Sequence, residues 1–337
     1  MKETPIHFQH EPWMPPLLPG LSKLTNSSGE TYGTFRKSLV PNYLRIRLGI
    51  LTTFFACLSL SFVMINTALP WILVLVAIVP LSLLQLRLLN VIHEGAHYLL
   101  APTRKTNDLF CNFVAGWFFV VAVDQYRITH IEHHRNLGEP GDPENAHMDK
   151  LDLTWLASAF SGIRTFRTLK LRKQVRSRVT TKRENTPKMS HWLVPFCGGI
   201  IHLATLTMIL AGAFRLGEFC WLLATYLLTP GLGMLRNLLE HRYVGNVDPS
   251  VWNVLMGNST SVKSTQATTR TFTKSILSQL YGSMGFTRHL LHHWDPSISF
   301  QNLKEVHLFI LDTKIGPLVA STDTTFTKQF ISIWKAP

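Results

Sequence analysis

The chain has 337 residues, of which 46% are apolar and 16% charged, against roughly 25% charged in a soluble domain. That deficit argues against an ordinary soluble protein and for a membrane one. The net charge of +13 fits either nucleic acid or cations retained on the cytosolic side of a bilayer. Cys57, Cys111, Cys197 and Cys220 lie in apolar stretches without a C-x-x-C pair, so neither a disulfide framework nor a thiolate zinc site is expected.

The first 37 residues are rich in Pro, Ser, Thr and Gly and carry no apolar signal core. They read as an irregular cytosolic lead-in without a cleavable signal peptide. From Leu48 to Leu86 no residue is charged. A spanning helix needs about 20 apolar residues, so this stretch predicts two, Leu48–Asn66 and Trp71–Leu89, broken at Thr67–Pro70. Phe110–Val123 is apolar but too short to cross, and reads as a re-entrant or interfacial segment. Lys150–Ser190 is strongly basic, from Arg164 to Lys188, where Phe166 is the lone aromatic among the cations. It therefore marks the cytosolic face and contact with anionic headgroups rather than a nucleic-acid site. Trp192–Ala213 and Phe219–Leu235 predict a third and fourth span, the last kinked at Pro230-Gly231. Asn246–Thr273 reads as a polar loop, and 303–337 as a cytosolic tail with no assigned structure.

Histidines carry the chemistry. His93 and His97 stand at i, i+4, and His130, His133 and His134 form H-x-x-H-H, as do His289, His292 and His293. Such spacings put imidazoles on one helix face, and neutral imidazole is the commonest protein ligand for transition metals. Together with His241 these are too many for one ion and about right for two. An even number of crossings between clusters places all of them on one side. His202, inside the third span, is read as a hydrogen-bonded buried histidine, with a functional role as the alternative.

H-E-G-A-H, H-I-E-H-H and H-L-L-H-H, separated by these spans, resemble the three histidine boxes of the membrane fatty acid desaturase and hydroxylase superfamily. Arg236-Asn237-x-x-Glu240-His241 resembles the R-N-x-x-E-H element of its bacterial-type members. Asp142-Pro143-Glu144 and Pro296 also fit, and the likeness runs from about Leu48 to Asn302. The resemblance implies a single domain over 1–337. Its fold would be an all-α integral membrane protein with about four transmembrane helices and a cytosolic helical cap holding a histidine-rich di-iron site. His93, His97, His130, His133, His134, His241, His289, His292 and His293 would be iron ligands, and Glu240, Arg236 and Glu94 would support them. The implied reaction uses O2 and two external electrons to remove hydrogen from an unactivated C–H bond. Desaturation of a fatty-acyl or lipid-like chain is the expected outcome, with hydroxylation of a lipid or small natural product as the alternative.

Electrons would come from a separate ferredoxin or cytochrome b5, since no fused haem domain is expected. The basic segment offers such an acidic partner a dock. Trp117, Phe118 and Phe119 either line a chain channel or pack as ordinary aromatics. His93-Glu94-x-x-His97 also matches the H-E-x-x-H zinc protease helix, but a protease has no use for two H-x-x-H-H triplets. A metal transporter would need ionisable groups inside the spans, where His202 is the one candidate. Both termini and the active site are expected on the cytosolic face.

Overall fold

The structure, a computed structural model, describes residues 17–18, 20–137, 141–144, 149–182, 189–212, 215–242 and 269–335. Among them the chain is helical, with isolated bridges but no strand. Its contacts divide it into two compact units. The first takes Tyr43–His130 and Leu156–Leu235, and the second the described parts of 5–42, Ile131–Trp155 and Arg236–Pro337.

Four helical stretches are long and apolar enough to cross a bilayer: Tyr43–Asn66, Trp71–Ala96, Ser190–Ala211 and Leu216–His241. The chain is an all-α integral membrane protein. Helix α1 is Tyr32–Ser38, α2 is Tyr43–Asn66 and α3 is Trp71–Ala96. α2 begins five residues before the expected Leu48, because Arg45 and Arg47 fit its first turn, and Arg47 Nε donates to Tyr43 O at 3.3 Å. Cations at a span's end reach water along their aliphatic stems. Pro70 caps α3, where its fixed φ suits the start of a helix. α3 does not stop at Leu89 but continues through Asn90, His93 and Glu94, all buried.

The short apolar segment is a reversal rather than a crossing. Helix α4, Arg104–Cys111, runs into a π-helical turn, Asn112–Gly116, and α5 is Val123–Asn136. Val120 takes a left-handed φ of 56° in the reversal. Helices α6 (Leu153–Phe160), α7 (Ile163–Lys182) and α8 (Ser190–Ala211) follow. A Cβ on Gly198 of α8 would collide with the Trp117 carbonyl, so glycine is what allows α8 to reach the reversal. Arg183 and Lys188 of the basic segment, and the side chain of Lys182, lie outside the described residues.

The fourth span is α9 (Leu216–Leu223), a π-helical turn (Ala224–Leu228) and α10 (Thr229–His241). Arg215 and Glu218 close α9's start with a 2.9 Å ion pair, and Arg215 also donates to Ile65 O at the end of α2. The expected kink at Pro230 takes the form of the wide turn just before it. Pro230 has no N–H to give the preceding turn, and its ring crowds the carbonyl four residues back. An extra residue in that turn relieves both.

In the second unit, α11 is Ile276–Tyr281, α12 His289–Trp294, α13 Leu303–Leu311, α14 Gly316–Thr322 and α15 Phe326–Lys335. One core joins Leu21, Leu24 and Tyr32 from the lead-in to Leu290, Leu291 and Trp294 of the third box and to Val306, Ile310 and Val319 of the tail. The lead-in from Leu17 on is therefore ordered packing rather than irregular chain, although residues 1–16 and Pro19 lie outside the described residues. Tyr32 Oη donates to Asp295 at 3.0 Å, and Arg36 pairs with the same carboxylate at 2.6 Å. Of the expected polar loop, 246–268 lies outside the described residues. Arg270 and Phe272 make backbone hydrogen bonds to Glu240 and Thr287.

Candidate metal centre

In the first unit, His93 and His97 occupy the last turn and C-cap of α3, and His130 sits on α5. One ring nitrogen from each lies within 4.8 Å of the others. His97 Nε2 and His130 Nε2 approach to 2.9 Å. The far sides of two rings are occupied: His93 Nδ1 lies 3.2 Å from Glu94 Oε1, and His130 Nδ1 lies 3.4 Å from Tyr126 Oη. Tyr126 also stacks on His130 with rings 5.2 Å apart and 14° from parallel.

The end of α3 is held by groups that take up its last carbonyls, which have no partner within the helix. Arg127 Nε donates to Ala96 O at 2.8 Å and Arg127 Nη2 to Gly95 O at 2.9 Å. The same guanidinium pairs with Asp108 at 2.5 Å and lies 3.8 Å from the Tyr98 ring centroid. Asn107 Nδ2 also donates to Gly95 O, at 2.9 Å. A Cβ on Gly95 would come within 2.6 Å of Cys111 Sγ. Glycine at the centre of H-E-G-A-H is thus required by the close approach of Cys111.

In the second unit, nitrogens of His133, His241 and His293 lie within 4.8 Å of one another, as do those of His134 and His292. Glu240, His241 and His289 offer a further such set. His289 Nε2 and His293 Nε2 stand 3.0 Å apart, and the His134 and His293 rings stack at 4.3 Å. Outward nitrogens again have partners: His133 Nδ1 is 2.8 Å from Asp142 Oδ1, and His241 Nδ1 is 3.2 Å from Thr269 Oγ1. Asp142 and His133 are both buried. Asp142 Oδ1 also accepts from Glu144 N at 2.7 Å, and Glu144 accepts from Asn237 Nδ2 at 3.0 Å.

Arg236 Nε lies 3.3 Å from Glu240 Oε1, whose second oxygen is 4.0 Å from His289 Nε2. Phe286 stacks on His289 at 4.8 Å and receives the Arg236 guanidinium on its ring, at 3.9 Å. Burial, with the surrounding imidazoles and, for His289, Arg236, holds His289 and His293 well below the ordinary histidine pKa. They are neutral at pH 7, the form that donates a lone pair to a metal.

These donor sets fit a transition metal. Ligand nitrogens about 2.0–2.1 Å from an ion sit roughly 3–4 Å from each other, within the separations seen. A hydrogen bond at one ring nitrogen fixes the tautomer and leaves the other for the metal. At four rings the bond falls on Nδ1. His202 belongs to none of these sets: its Nδ1 meets Tyr226 Oη at 2.7 Å and its Nε2 meets Phe118 O at 2.8 Å. Trp117 packs edge-on against Phe54 at 6.5 Å. Sequence reasoning assigned no role to Asp142, Thr269, Tyr126 or Arg127. Only Asp142 had a signal, its place in the Asp-Pro turn after the second box.

Apolar spans, buried neutral imidazoles and carboxylates behind them are the parts of a membrane metal site for redox chemistry. The family model described as fatty acid desaturase matches residues 66–316, a stretch that contains all nine candidate ligand histidines. No curated protein matches the chain closely enough to name a relative. The chain is thus an integral membrane oxidoreductase of the desaturase type, and it belongs to the fatty acid desaturase family.

Proposed function

We propose that the nine histidines hold two iron ions and that the chain is an O2-dependent desaturase of a fatty-acyl or lipid-like chain. The observation that carries this reading is the common orientation of the rings. At His93, His130, His133 and His241 the Nδ1 is turned to an acid or hydroxyl. Nε2 of His97 faces that of His130, and Nε2 of His289 faces that of His293. Bound iron would supply O2 activation and hydrogen removal from an unactivated carbon. The overall balance is R–CH2–CH2–R′ + O2 + 2 e− + 2 H+ → R–CH=CH–R′ + 2 H2O, with the electrons from an external ferredoxin or cytochrome b5.

The chain's own residues supply orientation. Asp142 and Glu94 hold His133 and His93 in one tautomer, and Arg236 steadies Glu240 beside His289. Arg127 fixes the end of α3 that carries His93 and His97. Cations on α7 support a cytosolic site, with both termini on that face and the centre in a helical cap. The same cations suit an acidic electron carrier.

Expression in a host cell, followed by mass analysis of its acyl chains against a His133→Ala control, tests this reading. New unsaturated chains only with the unaltered protein are expected. Chains that gain oxygen instead would make the enzyme a hydroxylase. An unchanged acyl profile would remove acyl lipids as the substrate.

A further inference from the structure

Helix α11 presents an apolar face with no partner among the described residues. Ile276, Leu277 and Leu280 are 80%, 72% and 55% exposed. At i, i+1 and i+4 they share one side of the helix. The opposite side is fastened down. Ser278 is buried and its hydroxyl accepts from Phe326 N at 3.2 Å, while the Tyr281 ring meets Phe326 at 4.8 Å. Ser275 caps the first turn. Just ahead, Thr273 binds the Asp323 carboxylate through N and Oγ1, and Lys274 Nζ donates to Asp323 O at 2.8 Å. A helix tied at this many points cannot turn its leucines inward.

Charge indicates what covers the face. From Thr269 to Trp294 there is no acidic residue, while Arg270, Lys274 and Arg288 are basic. The Asp323 carboxylate at the base of the helix is taken up by Thr271 and Thr273, and apolar side chains beside such an excess of cations suit the anionic headgroup region of a bilayer. Three aliphatic side chains fall far short of the ~800 Å² per partner of a stable protein interface. The bilayer is already within reach, because the same chain spans it.

We propose that Ile276, Leu277 and Leu280 insert into the headgroup–acyl boundary, with Lys274 at phosphate level. α11 then anchors the segment leading to His289, His292 and His293 to the membrane surface. This inference does not depend on the reaction catalysed.

The test is nitroxide labelling of the full chain in nanodiscs of mixed neutral and anionic phospholipid, in a Cys197→Ser background; the other three cysteines are buried. Labels at Leu277→Cys and Leu280→Cys are compared with one at Glu305→Cys, an exposed acid on α13. Collision with O2, which concentrates in lipid, is measured against collision with a water-soluble nickel chelate. The expected result is an O2-to-nickel ratio clearly higher at 277 and 280 than at 305. Nickel access at 277 and 280 equal to that at 305 would overturn the proposal. Labels shielded from both reagents would also overturn it, in favour of a second copy of the chain if spin–spin broadening appears.

Discussion

The two units solve opposite solvent problems. In the first, α2, α3 and α8 expose Phe62, Trp71, Val76, Leu203 and Leu210. These helices satisfy their backbones internally, as a bilayer demands, and lipid takes their outer faces. In the second unit Leu21, Tyr32, Leu291, Trp294 and Ile310 are buried in a core drawn from both ends of the chain, as in a water-soluble domain. The histidine supports differ accordingly. His93 and His97 are held by polar groups clamped on a helix end, whereas His289, His292 and His293 sit on a short helix whose Leu290, Leu291 and Trp294 are embedded in apolar packing. A candidate ligand can thus be fixed by hydrogen bonds at a span's end or by ordinary core packing beyond it.

The largest effect expected is in that core. Trp294→Ala should cost about 3–5 kcal/mol and lower the thermal midpoint in detergent. A midpoint within a degree or two of the unaltered protein would break the comparison. Arg127→Ala tests the other support. It takes the partner from the Asp108 ion pair and from the Ala96 carbonyl, while Gly95 O keeps Asn107; Asp108 keeps some contact with water, so the loss is put at ~3 kcal/mol. Metal release should accompany this loss, whereas a stable protein with full metal content would show that the clamp is dispensable.

Asp142→Asn keeps the shape of the carboxylate and removes its charge. Metal affinity, read by chelator competition, should fall about 10–100-fold, and Asp142→Glu should recover part of it. Equal affinities for Asn and Asp would mean that the carboxylate only fills space. The smallest effect is expected at His202→Ala, which loses two hydrogen bonds in a span. Intramembrane hydrogen bonds average about 0.6 kcal/mol, so stability should dip slightly and metal content stay unchanged. Loss of metal in that variant would bring His202 into the centre.

Legibility divides along the same line. The spans could be read because Leu48–Leu86 lacks charge and Pro70 breaks it. Hydropathy stopped short at Leu89, since it counts Asn90, His93 and Glu94 as polar, whereas all three are buried in a helix that runs on to Ala96. The turn near Pro230 was legible in place but not in its wide geometry. The second unit's core was hidden, because its contacts join residues as far apart as Tyr32 and Asp295, and no local period reports them. The histidine spacing pointed to candidate ligands. The partners behind the rings were not legible: Thr269 and Tyr126 are ordinary residues until the fold brings them to His241 and His130.

The most direct test of the central claim is metal content of the detergent-purified protein by elemental mass spectrometry, with His133→Ala alongside. About two irons per chain, reduced or lost in the variant, is the result the ligand assignment and the desaturase chemistry require. One zinc per chain, untouched by His133→Ala, would contradict it and leave His93-Glu94-x-x-His97 as a hydrolytic site.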